Sequence, residues 1–426
     1  MRSVEHNPKE DAKLFAETYF VNPGKYEEGN YLSFDGQSII DWLRERPDFL
    51  KIIHEIDEVL SNDLIVAGLR KVNVHMKLES RVKDVIEMAL TDDNGFADLK
   101  SEQRVRLIMW QRKGITALFS PTFMKAKDRL KEILIPQVRY VDGLTALEIS
   151  EILKNVNADC DLCEDDLSKQ DRQTDSTIIK TEMEIYKLLG VDPMLVDMWK
   201  RIHGGEGYKW YAKGVGVTFT GESMRHTGQA TTALGNVIVN LLVRTRLVRQ
   251  LKNSLKLMLV LGDDNIMLVT KGLVTKEMIS ENSARHFNMK SKPRVHDSVG
   301  GFLRMMVYKN STGRYECAPD FIRLQRRFEV TNGVSESTAE NITARAASYL
   351  CMLGKMTQTI ELGKYLGYDD LPLGNWYEYN TAVKYNALYY GMTEHKVEAH
   401  VNHLLQMIKE RKMYEKRSLF PVSKAK

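Results

Sequence analysis

Leu255-Lys-Leu-Met-Leu-Val-Leu261-Gly262-Asp263-Asp264-Asn265-Ile-Met-Leu-Val-Thr270 is the stretch on which the reading of this chain turns. Two short apolar, strand-like runs flank a Gly-Asp-Asp triplet, a pattern that predicts a buried β-hairpin with carboxylates at its tip. Gly-Asp-Asp alone is ordinary turn composition, used freely in surface loops. A solvated turn does not require apolar runs on both sides, so the burial of the arms makes the tip informative.

Upstream, residues 159–175, DCDLCEDDLSKQDRQTD, are very rich in acids and sit between two helical patterns. Within them Asp166 is placed to end a strand beside the hairpin and present its carboxylate near Asp263 and Asp264. Nucleotidyl transfer uses two divalent ions ~3.5–4 Å apart, and hard ions such as Mg²⁺ take carboxylate oxygens, so aspartates from two places are the chemistry to look for. Between them a polar, Gly-bearing loop leads into TTALGNVIVNLLVRTRLV, apolar at helical spacing and free of proline.

Farther out, the amphipathic IIDWLRERPDFLKIIHEIDEVL from Ile39 and the run LFSPTFMKAKDRLKEILI read as helices, with a basic stretch from Lys71 to about Lys113 leading into the second. Beyond Val334 the pattern turns mainly helical and ends in the basic QMIKERKMYEKR, as in a separate, mostly α subdomain. No internal repeat or low-complexity tract marks a solenoid or linker.

Composition excludes more than it identifies. With 426 residues, 43% hydrophobic and 28% charged, the chain is globular and long enough for two or three subdomains. A net charge of +4 from 61 basic and 57 acidic residues does not by itself argue for nucleic-acid binding. Of four cysteines only Cys160 and Cys163 are close, with no second pair at zinc spacing, which disfavours a zinc site and suits a reducing compartment. No signal peptide and no apolar run of the ~20 residues a membrane span needs is visible, so a cytoplasmic location is expected, with any membrane recruitment through partners.

Taken together, these segments resemble the RNA-dependent RNA polymerases of the alphavirus-like supergroup, most closely those of closterovirus-like and endornavirus-like members, in family order from about Lys77 to Arg327. Asp166-Leu-Ser-Lys-Gln-Asp171-Arg-Gln-Thr-Asp175 resembles motif A, which implies that Asp166 binds metal and that Asp171 senses the ribose 2′-hydroxyl. Thr227-Gly228-Gln-Ala-Thr-Thr232-Ala-Leu-Gly-Asn236 resembles motif B, with Thr in place of the usual Ser, which implies nucleotide binding by Thr227, Gly228, Thr232 and Asn236; Asn236 would complete the ribose network and Gly228 would let the loop flex or approach the template. Gly262-Asp263-Asp264 matches motif C, with Asp263 the principal metal ligand and Asp264 the weaker one.

Asn288-Met-Lys-Ser-Lys292 resembles motif D, where Lys292 would protonate the departing pyrophosphate. Lys77, Arg81 and Lys83 resemble the basic motif F that lines the nucleotide entrance, and Arg104 and Arg106 extend it. Gly300-Gly301-Phe302 resembles the primer-grip turn, with Val299 where the family commonly has Cys; Pro319-Asp320 with Arg323, Arg326 and Arg327 resembles the thumb entry.

The resemblance implies an α+β right-hand fold with a small antiparallel palm sheet flanked by helices. Residues 1–158 would form an N-terminal extension and fingers, with motif F at about 75–106. The palm would comprise 159–175 and 221–302, with a fingers insertion at 176–220 and a mostly helical thumb at 303–426. The implied activity is template-directed RNA synthesis from ribonucleoside triphosphates with two Mg²⁺ or Mn²⁺ ions, replicating and transcribing a positive-strand RNA virus genome. Template RNA, nascent RNA and other replication proteins such as a capping enzyme and a helicase are the implied partners, at membrane-associated complexes in the host cytoplasm. Two rivals remain at this level. One is a reverse transcriptase, which shares the palm but usually excludes the 2′-hydroxyl with a bulky residue; the other is a non-catalytic RNA-binding protein on the same fold.

Overall fold

The structure, a computed structural model, describes residues 5–27, 31–61, 72–77, 106–168, 170–203, 209–212, 217–220, 225–329 and 339–418. The chain divides into two compact units, one of residues 1–77, 106–142 and 158–295 and the other of 78–105, 143–157 and 296–426. Helices and strands are mixed in both.

The first unit is built on strands β1 (Val72–Lys77), β2 (Arg106–Gln111), β3 (Val138–Tyr140), β4 (Cys160–Leu167), β5 (Lys209–Ala212), β6 (Val217–Thr220), β7 (Leu255–Leu261), β8 (Asp264–Thr270) and β9 (Ser291–His296). Its central sheet has the order β3-β7-β8-β4-β9, while β1-β2 and β5-β6 are separate ribbons. The pairs β7–β8 and β4–β8 are antiparallel, as the hairpin reading expects, but β3 joins β7 in parallel. The sheet is therefore mixed rather than antiparallel throughout, since β3 reaches its edge by a long crossover instead of a hairpin.

The apolar runs flanking the Gly-Asp-Asp triplet are buried on both faces: Leu257 to Val260 and Ile266 to Val269 are each exposed by 4% or less. Burial on both faces explains why they read as continuous apolar runs rather than as an alternation. Met258, Val260, Met267, Val269 and Cys163 share one core with the helices Pro8–Tyr19, Lys113–Ile133, Ser176–Leu188 and Thr232–Gln250. The last of these is apolar around most of its girth, as its sequence demands of a helix that runs through a core. Cys160 and Cys163 are buried free thiols on β4, so this close pair is packing material.

The second unit holds the antiparallel sheet β10 (Val299–Phe302), β11 (Met305–Lys309) and β12 (Tyr315–Pro319). Helices Phe321–Glu329, Ala339–Leu353, Thr357–Tyr365, Tyr379–Tyr390 and Glu394–Ser418 follow, and their apolar faces close a core around Tyr308, Phe321, Leu350 and Leu404. The mainly helical character expected beyond Val334 is observed over the described residues 339–418. Asp320 caps the first of these helices through the Arg323 amide and also takes the Tyr390 hydroxyl, so this residue of the thumb-entry stretch is a buried helix cap.

Candidate active site

The hairpin forms as the sequence predicts. Leu261 pairs with Asp264, leaving Gly262 and Asp263 as a two-residue turn. Gly262 has φ +60°, whereas Asp263 is not among the residues with positive φ, the signature of a type II′ turn with glycine at its first central position. The cost of any side chain at Gly262 is conformational, because a Cβ there would meet nothing within 4 Å. Asp263 and Asp264 are both exposed at the tip.

β4 brings the second acidic segment alongside. Its antiparallel register with β8 runs from Cys160 opposite Thr270 to Glu164 opposite Ile266. Carried on along β4, that register sets Asp166 across from Asp264, at the end of the sheet where the hairpin turns. Successive side chains on a strand point to opposite faces, which separates the adjacent acids. Asp166 is exposed, whereas Asp165 is 1% exposed and paired with Arg244. Lys292 is exposed on β9, the strand next to β4, and β4 is tied to that edge where the Ser168 amide donates to the Lys290 carbonyl.

Among the described residues, no three His, Cys, Asp or Glu side chains stand close enough together to hold a metal ion. Mg²⁺ ordinarily keeps several waters and is bound through one or two carboxylates plus substrate phosphates rather than in an all-protein cage. Exposed hard oxygen donors on neighbouring strand ends suit that mode of binding.

Asn236 lies in the first turns of the Thr232–Gln250 helix, and its Nδ2 donates to Asp171 Oδ1 at 3.3 Å. Gln170 Nε2 donates to the Asn236 carbonyl at 2.8 Å, fixing the short helix Gln170–Gln173 to the same place. The two residues assigned to ribose sensing are thus in contact. Beneath them lies a fully buried ion pair that the sequence reading missed, Arg225 with Glu182. Tyr186 also donates its hydroxyl to Glu182, at 2.6 Å. Burial works against the charge of Arg225, but Glu182, Tyr186 and Asp171 outweigh it and hold the guanidinium protonated. Gly235 is what lets the helix lie over this pair, since a Cβ there would come within 2.6 Å of Glu182 Oε1.

The Thr-Gly loop is held from two sides. Thr232 Oγ1 donates to the His226 carbonyl and accepts from the Gln229 amide, both at 2.9 Å, while Thr227 Oγ1 accepts from the Met109 amide at 3.0 Å. Both hydroxyls assigned to nucleotide binding are therefore engaged within the protein. Gly228 forms a parallel bridge with Trp110, and a Cβ on it would lie 2.6 Å from Trp110 Cβ. The absence of a side chain at Gly228 permits this close backbone approach to β2.

Of the motif F residues, Lys77 and Arg106 are cross-strand partners at the end of the β1–β2 ribbon. Arg81, Lys83 and Arg104 lie outside the described residues. Because β2 also carries Met109 and Trp110, the same ribbon touches the Thr-Gly loop.

Comparison with known proteins matches residues 78–327, more than half of the chain, to a family described as RNA dependent RNA polymerase. The chain belongs to this family. It is similar to the RNA-directed RNA polymerase 2a of Olive latent virus 2, with 29% identity over 185 residues, 43% of this chain and 22% of that protein. It is also similar to the Replicase large subunit of Pepper mild mottle virus, 28% identical over 177 residues, 39% of this chain and 10% of that protein. The Polyprotein P1234 of Eastern equine encephalitis virus is 25% identical over 174 residues, 41% of this chain and 7% of that protein. The chain thus spans no more than about a fifth of the length of these relatives, which are proteins of the alphavirus-like supergroup. No described helix is long and apolar enough to cross a membrane.

Proposed function

We propose that this chain is the RNA-synthesising segment of a positive-strand RNA virus replicase, joining ribonucleoside triphosphates to an RNA 3′ end under the direction of a template. The observation that carries the reading is the meeting of two separately encoded acidic elements at one end of the sheet: Asp166 on β4 and the Asp263-Asp264 turn between β7 and β8. Family membership over residues 78–327 and the polymerase and replicase relatives support it.

In this reading Asp166 and Asp263, with Asp264 assisting, hold two Mg²⁺ or Mn²⁺ ions, whose chemistry is to activate the 3′-hydroxyl and neutralise the triphosphate. The 3′-oxygen bonds to the α-phosphorus, the bond to the β-phosphate bridging oxygen breaks, and pyrophosphate leaves. Lys292, on the strand beside β4, supplies a proton to that leaving group. Asp171 and Asn236 face the ribose. Lys77 and Arg106, with Arg81, Lys83 and Arg104, offset the triphosphate charge on entry.

The layout that goes with this is a right hand, with the palm from 159–175 and 221–302, fingers from 1–158 and 176–220, and a thumb from 303–426. Template and nascent RNA are its macromolecular ligands. Because the relatives are several times longer, capping and helicase functions belong to neighbouring replication proteins or segments, and membrane-associated complexes in the host cytoplasm are its place of work.

Extension of a primed RNA by purified Asp263→Ala protein tests the reading. Product is expected from the wild type and none from the variant, and wild-type product from the variant would overturn the assignment. The Asn236 contact with Asp171 supports RNA synthesis over reverse transcription, since a pair of hydrogen-bonding side chains suits a ribose 2′-hydroxyl, which a reverse transcriptase usually excludes with a bulky residue.

A further inference from the structure

Behind the exposed carboxylates lies a polar group that the chemistry above does not use. Arg244 and Asp165 have side chains 0% exposed, beside a mainly apolar core. Arg244 Nη2 donates to Asp165 Oδ2 at 2.6 Å and to the Asp165 carbonyl at 2.9 Å. Its Nη1 donates to the Asn240 carbonyl at 2.6 Å and to Asn240 Oδ1 at 2.7 Å. Asn240 Nδ2 in turn donates to the Gly262 carbonyl at 3.2 Å, and Asn265 Nδ2 donates to the Asp165 carbonyl at 2.8 Å.

Two of these acceptors have a telling place in the chain. The Asp165 carbonyl belongs to the peptide bond that leads into Asp166, and the Gly262 carbonyl to the one that leads into Asp263. Each peptide entering a proposed metal ligand is therefore gripped from behind. One guanidinium, bonded directly to the Asp165 carbonyl and through the Asn240 amide to the Gly262 carbonyl, fastens both to the helix that also carries Asn236.

A buried ion pair is a poor way to stabilise a core. Desolvation costs several kcal/mol per ion, and well-packed apolar replacements are often neutral or better by about 1–4 kcal/mol. What the pair supplies and leucine does not is direction, through hydrogen bonds of fixed geometry to two backbone carbonyls. We infer that Arg244, Asp165, Asn240 and Asn265 are positioning residues that set the placement of the Asp166 and Asp263 carboxylates relative to one another. The inference rests on the polymerase reading of the site.

The test uses the full chain with the double variant Asp165→Leu/Arg244→Leu, which removes the pair without stranding a charge, and with Asn240→Ala, which frees the Gly262 carbonyl alone. Thermal unfolding, the Mg²⁺ dependence of primed RNA extension, and Mn²⁺ binding by calorimetry are measured for each. The double variant is expected to unfold at or above the wild-type temperature. Its Mg²⁺ requirement should nevertheless rise and its Mn²⁺ affinity fall by about 10- to 100-fold, the usual effect of removing groups that orient a metal ligand. At saturating metal, KM for the nucleotide should stay near its wild-type value while kcat falls.

A folded double variant with wild-type metal dependence and wild-type Mn²⁺ affinity would overturn the inference. Should the double variant not fold, Asn240→Ala decides: an unchanged Mg²⁺ requirement and Mn²⁺ affinity would again overturn it. A wild-type protein that makes no RNA would instead sink the polymerase reading, and the calorimetry would still report whether this network governs metal binding.

Discussion

Asn236 donates its side-chain amide to the Asp171 carboxylate at 3.3 Å, joining the helix after the Thr-Gly loop to a residue 65 positions earlier. The other end of the same amide, Oδ1, is buried without a protein donor. Buried polar atoms normally have partners, so an acceptor left over beside a carboxylate fits a ligand hydroxyl. Asn236→Ala should therefore lower the preference for ribose over deoxyribose substrates. A hydrogen bond between neutral groups contributes about 0.5–1.5 kcal/mol, so the ratio of GTP to dGTP incorporation should fall by about two- to tenfold. Competition between the two labelled nucleotides measures it, and an unchanged ratio would remove the role from Asn236.

The loop leading into that helix carries a pH signature. Burial, aided by the neighbouring Arg225 charge, pushes the His226 imidazole down from 6.5 to about 4. The folded chain holds it neutral, while the unfolded chain takes up a proton below pH 6.5. Its contribution to stability is thus present in full above the unfolded value, is lost as pH falls from there toward 4, and levels off below the folded value. The loss across this window is about 3 kcal/mol. His286, also pushed down to about 4 by burial and nearby cations but partly exposed, adds a smaller loss of the same sign. Urea unfolding between pH about 7.5 and about 4.5 should show a shallower slope for His226→Gln than for the wild type; parallel slopes would refute the assignment.

How far the sequence reveals this site depends on whether a residue's task is local. The hairpin is legible because its determinants lie within sixteen consecutive residues: two apolar arms, a glycine with positive φ, and acids at the turn. The acid-rich segment shows the opposite case. Asp161 accepts from the Gly272 amide, Asp165 pairs with Arg244, Asp166 is exposed at the sheet end, Asp171 meets Asn236 and Asp175 caps the helix Ser176–Leu188. The tasks of Asp161, Asp165 and Asp171 depend on partners far along the chain, whereas the cap at Asp175 is local, and no local pattern distinguishes an aspartate that faces a buried arginine from its neighbour that faces solvent. Arg225, in the polar loop, and Arg244, in helix-like sequence, were illegible for the same reason, since charged residues in either setting read as solvated positions until the fold buries them. The parallel pairing of β3 is likewise a property of topology rather than of its three residues.

Gly228 gives a sharp steric test of how the Thr-Gly loop meets β2. A methyl group there would sit 2.6 Å from Trp110 Cβ and 3.1 Å from the Met109 carbonyl, and both β2 partners are part of strand structure. The loop must then move away from β2, breaking the Gly228 amide bond to the Met109 carbonyl and the Met109 amide bond to Thr227. Gly228→Ala should destabilise the chain by about 1–3 kcal/mol, the usual range for overpacking, and lower nucleotide incorporation more than Thr227→Ser, which keeps the hydroxyl acceptor. Thermal unfolding and single-nucleotide incorporation read the two effects. A Gly228→Ala protein with wild-type stability would show that the loop does not rest on β2.

The turn between β10 and β11 calls for a substitution in the stabilising direction. Phe302 pairs with Met305, leaving Leu303 and Arg304 as a two-residue loop with φ of 49° and 62°. Positive φ at both central residues is the type I′ geometry, which asparagine followed by glycine adopts with ease. A branched or long side chain in the left-handed region costs roughly 1–2 kcal/mol per residue. The conformation is maintained by burial of Phe302 on one side and by the Asp320 amide, which donates to the Arg304 carbonyl at 3.0 Å, on the other. Leu303→Asn with Arg304→Gly keeps that backbone bond and removes the strain, so stability should rise by about 1–2 kcal/mol, seen as a higher urea midpoint with an unchanged slope. The turn adjoins the stretch resembling the primer grip, and strained backbone concentrates at working sites, so primed extension by the stabilised variant should fall. A midpoint that stays put would show that Leu303 and Arg304 are not under strain; a raised midpoint with full activity would show that the strain serves no step of synthesis.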